Sequence, residues 1–206
     1  MNSRAGQENP ARQSSGGTLL SREAILILVL FWILEWAIML GPDSLPNKLD
    51  ELAHLSYLVH IRMNGLPDFS HPSMRLLCEN LTSFCERENF LNHPPYYYWL
   101  LSLLLPSDGW PTFFATTLIR SVNLALSSLA LLCMLFFAEL RGITERSLMY
   151  YGLSIVMVPV FIVISGAVTN DNLAIFGGSL AVLGAQLLVA KENSKNGFRL
   201  ILAGLC

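Results

Sequence analysis

Four stretches of this chain are apolar over lengths close to the thickness of a bilayer: Ala24 to Gly41, Thr112 to Ala138, Leu148 to Val168 and Leu173 to Ala190. About 20 apolar residues in a helix cross roughly 30 Å of hydrocarbon, so each run is read as a membrane span. With 53% hydrophobic and 14% charged residues, the chain also lacks the polar surface of an ordinary soluble domain. A fifth run begins at Phe198 and stops at Cys206, too short to cross, and the chain is therefore read as the N-terminal part of a longer protein.

Orientation follows from where Lys and Arg fall, since the net charge of −2 is uninformative in a membrane protein. Arg4, Arg12 and Arg22 precede the first span, Arg141 and Arg146 follow the second, and Lys191, Lys195 and Arg199 follow the fourth. These segments are expected in the cytoplasm, which puts the loop from Pro42 to His93 outside, where acids outnumber bases seven to four. The same side receives the turn Asn170-Asp171-Asn172, whose composition also suits a plain polar turn with a helix cap. Pro94 to Pro106 is too short for a span and reads as an interfacial or re-entrant helix, with Pro at its start and Tyr and Trp at headgroup level. The expected architecture is all-α: a polytopic membrane helix bundle over residues 23–206, an extracytoplasmic loop over 42–111 carrying interfacial helices, and a disordered cytoplasmic tail over 1–22.

The loop holds the chemistry. All four histidines, His54, His60, His71 and His93, lie in it beside Asp50, Glu51 and Asp68. Asn47 to Met63 reads as a helix that puts Asp50 and His54 on one face, with Leu49, Leu52, Leu55, Leu58 and the nearby Leu66 as a stripe on the membrane surface. Asp50 and Glu51 also suit the first turn of any helix through its dipole. No cofactor is required by the pattern, although Asp50, Glu51 and His54 offer oxygen and nitrogen ligands to a divalent ion; the zinc-protease spacing is absent.

Two charges inside the apolar bands, Glu35 and Arg120, each cost about 3 kcal/mol at mid-membrane if unpaired. They are expected either to pair with each other or, for Arg120, to meet a phosphate or carboxylate of a ligand. Cys78 and Cys85 share the outer loop, and the sequence leaves open whether they pair; Asn80-Leu81-Thr82 matches a glycosylation sequon and is read as a chance match.

In order along the chain, Leu49-Asp50-Glu51-Leu52-Ala53-His54, Gly65-Leu66-Pro67-Asp68, Asn92-His93-Pro94-Pro95-Tyr96-Tyr97-Tyr98, Ile119-Arg120-Ser121 and Thr169-Asn170-Asp171-Asn172 resemble the GT-C fold of integral-membrane glycosyltransferases, notably protein O-mannosyltransferases and aminoarabinose-type lipid glycosyltransferases. The resemblance implies inverting transfer from a polyprenyl-phosphate sugar to a lipid, glycan or protein acceptor at the outer face of the membrane. It makes Asp50 the catalytic acid/base and Glu51 its helper in placing the acceptor or a metal, with His54, His93, Tyr97, Arg120 and Asp171 binding substrate. Membrane lipids are the expected surroundings, nucleic acid is not an expected partner, and a bacterial inner membrane is preferred to the endoplasmic reticulum. The competing expectation is a non-catalytic polytopic membrane protein, an accessory subunit or transporter component. Few polar residues at mid-depth, among them Ser121, Asn123, Ser127 and Ser128, speak against a conduction path.

Overall fold

A computed structural model describes residues 20–39, 50–67, 74–78, 80–89, 93–189, 199 and 201–204. The elements run α1 (Arg22–Met39), α2 (Glu51–Asn64), β1 (Arg75–Leu77), β2 (Phe84–Glu88), α3 (Pro95–Ser102), α4 (Phe113–Leu140), α5 (Glu145–Val156), α6 (Pro159–Ser165) and α7 (Asp171–Val189). The expectations for the N-terminal tail before residue 20, for Leu49 and for Asp68 and His71 fall outside the described residues.

Two described helices, α4 and α7, are long and apolar enough to cross a membrane, and α5 with α6 makes a third if the bent pair is one span. The 18-residue α1 is as long as a short span but carries Arg22, Glu23 and Glu35. The single span expected over Leu148 to Val168 is instead two helices that meet at 68°. Pro159 explains the break: it has no N–H to donate and disfavours helical backbone in the residue before it, and Val158 is extended at φ −71° and ψ 112°. Local chemistry sets the starts of α4 and α5, where the hydroxyls of Thr112 and Thr144 accept from the N–H groups of Ala115 and Ser147.

The packing divides into two clusters. In one, α1 lies against α4, α5 and α6, burying Ile27 and Phe31 with Leu124, Leu131, Leu135 and Phe161; the rings of Phe31 and Phe161 stack 5.4 Å apart. In the other, α2 packs on α3 and β1 through Leu55, Leu58, Tyr98 and Leu101. The leucine stripe of α2 is thus corrected: Leu55 and Leu58 are fully buried against protein rather than spread on a membrane surface, Leu52 is half-buried, and among the described members only Leu66, past the helix, is open at 60% exposure. An apolar face serves a neighbouring element as well as it serves lipid, and α3 and the hairpin supply that neighbour.

The all-α expectation is also corrected over the outer loop, where β1 and β2 form an antiparallel hairpin pairing Arg75 with Glu88 and Leu77 with Phe84. Alternation over so few residues is a weak sequence signal. The hairpin is tied to α2 because Leu77 N–H donates to Ser56 Oγ at 2.8 Å and Asn89 Nδ2 donates to the Ala53 carbonyl at 2.8 Å. At the far end of α2, Arg62 Nε reaches the Pro106 carbonyl at 3.2 Å. Gly109 follows with φ +80°, and a Cβ there would lie 2.7 Å from Met63 Cγ.

Candidate functional site

The start of α2 meets α3, α4 and the turn before α7, and this is where the sequence candidates assemble. Glu51, 2% exposed, accepts from Arg120 Nε at 2.8 Å and Arg120 Nη2 at 2.7 Å, a bidentate pair, and its Oε1 accepts a third bond from the Val168 N–H at 2.9 Å. One carboxylate therefore joins α2, α4 and the segment leading into α7. The expected Glu35–Arg120 pairing is overturned, since Arg120 already spans to Glu51 in planar fork geometry. Glu35 is fully buried elsewhere on α1, and neither of its carboxylate oxygens has a hydrogen-bond partner among the described residues.

Asp50, the neighbour of Glu51, has the opposite environment. It precedes α2 at the cap position, its side chain makes no capping bond, and it is exposed. Its backbone carbonyl accepts from the His54 N–H at 3.0 Å, which holds the carboxyl-bearing residue at the mouth of the helix. Consecutive helical residues lie about 100° apart, so one acid turns inward and the other outward.

His54 sits at the centre of an aromatic stack and is only 6% exposed. Its Nδ1 lies 2.6 Å from the Tyr98 hydroxyl, and its ring is parallel within 7° to that of His93, centroids 5.6 Å apart. Tyr57 packs on Tyr98 with ring centroids 4.3 Å apart and planes tilted by 33°, and donates its hydroxyl to the His93 carbonyl at 3.1 Å. Burial pushes the His54 imidazole below its ordinary range and His93 adds to this, while Asp171, Asp50 and Glu51 pull the other way. Those opposing effects place all three acids within electrostatic reach of one ring. Burial also raises Tyr97 and Tyr98, so both remain neutral phenols.

The remaining candidates line the edge. Tyr97 is buried and donates to Asn123 Oδ1 at 2.6 Å, whereas Asn123 Nδ2 has no partner among the described residues. Asp171 opens α7 and is exposed, with its N–H bound to Thr169 Oγ1 at 3.3 Å. Asn172 beside it is fully buried, accepting from Ser127 Oγ at 2.6 Å and donating Nδ2 to the carbonyls of Ile164 at 2.9 Å and Ala167 at 3.3 Å. A cavity of about 320 Å³ lies between the starts of α3 and α7, lined by Pro94, Tyr96, Tyr97, Asn170 and Ala174 among others.

Asp50, Glu51, His54, His93, Tyr97, Arg120 and Asp171 thus come to one end of the molecule. His60 does not join them; it stands beyond on α2 with Asn64 Nδ2 3.4 Å from its Nδ1. Sequence reasoning missed Tyr98 and Tyr57, which hold the two histidines, and Val168, whose N–H reads Glu51. The three consecutive tyrosines were visible, but only the fold distinguishes Tyr98 inside from Tyr96 outside, the latter 81% exposed. Among the described residues no three His, Cys, Asp or Glu side chains converge as a set of metal ligands.

No family model, no curated protein and no solved structure matches this chain.

Proposed function

We propose that this chain is a module of a membrane glycosyltransferase that moves a sugar from a polyprenyl-phosphate donor to a lipid, glycan or protein acceptor at the extracytoplasmic face, with Asp50 as general base. The observation that carries the reading is the division of labour in the acidic pair: Glu51 is held by three hydrogen bonds, while Asp50 beside it stays exposed with no hydrogen bond to its carboxylate among the described residues. A base must reach the acceptor's proton, and of the two carboxylates only Asp50 is accessible.

In the reaction the acceptor hydroxyl oxygen bonds to the anomeric carbon as the bond from that carbon to the phosphate oxygen breaks. The hydroxyl proton passes to Asp50 and polyprenyl phosphate departs with the bonding electrons. The Arg120–Glu51 pair supports a role for Arg120 in fixing α2, and half-buried His93 would be the side chain that meets the departing phosphate. Tyr97 lines the adjoining cavity, where the donor or acceptor would lie, and Asp171 opens α7 next to the lining residue Asn170.

The test is sugar transfer from labelled polyprenyl-phosphate sugars in membranes carrying the protein. Activity that Asp50→Asn abolishes, with insertion and stability unchanged, supports the reading. Activity retained in that variant removes Asp50 from the mechanism, and no transfer by the unaltered protein favours an accessory membrane role.

A further inference from the structure

Asn80, Leu81 and Thr82 form the turn between β1 and β2, and both Asn80 and Thr82 are exposed. Leu81 takes φ +59°, a left-handed turn conformation that is uncommon for a branched side chain. Asn80 Oδ1 accepts from the Thr82 N–H at 3.1 Å and from Ser83 Oγ at 3.2 Å, so the amide oxygen is held while Nδ2 makes no hydrogen bond among the described residues. The Cys78–Cys85 disulfide closes this turn, with Cα atoms 5.1 Å apart. Disulfides persist in oxidising compartments and are rare in the cytosol. The hairpin is fixed to α2 through Ser56 and Asn89, on the loop that the Lys and Arg distribution places opposite the cytoplasm.

The disulfide and the charge distribution both put this hairpin on an oxidising, non-cytoplasmic side, and glycosylation of the exposed sequon is what separates a secretory lumen from a bacterial periplasm. We propose that Asn80 is an N-glycan acceptor presented on a disulfide-closed hairpin that faces an oxidising lumen, which selects the secretory membrane of a eukaryotic cell over a bacterial inner membrane. The tripeptide is the one Asn-x-Ser/Thr sequence in the chain. An oligosaccharyl transferase supplies the reaction from a polyprenyl-diphosphate oligosaccharide. Asn80 Nδ2 bonds to the anomeric carbon, the bond from that carbon to the diphosphate oxygen breaks, the lipid diphosphate leaves with the electron pair, and one Nδ2 proton passes to the transferase's base. The inference does not depend on the sugar-transfer reading of the Asp50 site.

The experiment expresses the full chain in insect cells, treats it with an amide-cleaving endoglycosidase, and alkylates its thiols before and after reduction. The expected result is a single glycan-sized loss of mass on digestion, absent in Asn80→Gln and Thr82→Ala and retained in Thr82→Ser, with Cys78 and Cys85 alkylated only after reduction. Oxidised thiols without a glycan overturn the proposal, because the loop then meets the lumen unmodified. Freely alkylated thiols without a glycan overturn it on the side of orientation, and a glycan that survives Asn80→Gln overturns the assignment of the residue.

Discussion

Glu51 and Arg120, 69 residues apart in the chain, face each other through two parallel hydrogen bonds of 2.8 and 2.7 Å in a buried setting. The Val168 N–H completes the arrangement, so the pair connects three segments whose relative placement builds the candidate site. Removing Arg120 leaves the buried Glu51 carboxylate without that counter-charge, held by the Val168 N–H.

Glu51→Ala and Arg120→Ala are each expected to cost about 3–5 kcal/mol, because each breaks a buried bidentate pair whose remaining member keeps its desolvation cost. Replacing both residues with Leu and Met is expected to cost less than the sum of the two single changes. Thermal unfolding in detergent, read as a double-mutant cycle, checks this; additive losses would show that the pair is not coupled.

Asp50→Asn is expected to change stability by less than about 0.5 kcal/mol, as an exposed residue with no side-chain hydrogen bond among the described residues. Its effect on sugar transfer is expected to be a loss of roughly 10²–10⁴-fold, the usual contribution of a general base. Transfer rates and melting curves on the same preparation separate the two.

The pH dependence of stability follows from His54, whose folded value lies below its ordinary 6.5. The fold favours the neutral ring, so this contribution is fully present above pH 6.5 and is lost as pH falls from 6.5 through the lower folded value. His60 is lowered by burial as well and acts in the same sense. Melting temperature followed from neutral to acidic pH is expected to fall, and His54→Gln is expected to flatten the curve in part, leaving the share from His60. An unchanged slope in that variant would remove His54 as a source.

Asn172→Leu is expected to destabilise the protein by about 1–3 kcal/mol, since it strips a buried amide from the Ser127 hydroxyl and the carbonyls of Ile164 and Ala167. The neighbouring Asp171→Asn is exposed and is expected to change stability by less than about 0.5 kcal/mol. Parallel unfolding of the two variants tests whether the polar turn before α7 is a structural clasp with one open acid.

Much of the helical content was legible because length and apolar continuity are local properties. The runs around Thr112 to Ala138 and Leu173 to Ala190 became α4 and α7, the two described helices able to cross a membrane. Pro159 was in view too, yet a proline inside an apolar run is compatible with a continuous kinked span, and the 68° angle between α5 and α6 is visible only in the fold. The hairpin escaped notice because strands of three and five residues have too few positions to show a period of two.

For the site, the sequence by itself determined which residue types gather in one loop: paired acids, histidines and a Pro-Pro-Tyr helix start. That follows from chain proximity alone. It could not determine that Arg120 answers Glu51 rather than Glu35, or that Tyr98 turns toward His54 while Tyr96 faces out. Those outcomes were decided by tertiary structure, because hydrogen-bond partners are chosen by distance and direction in space, and a rotation of 100° per residue along a helix sends adjacent, chemically similar side chains into different surroundings.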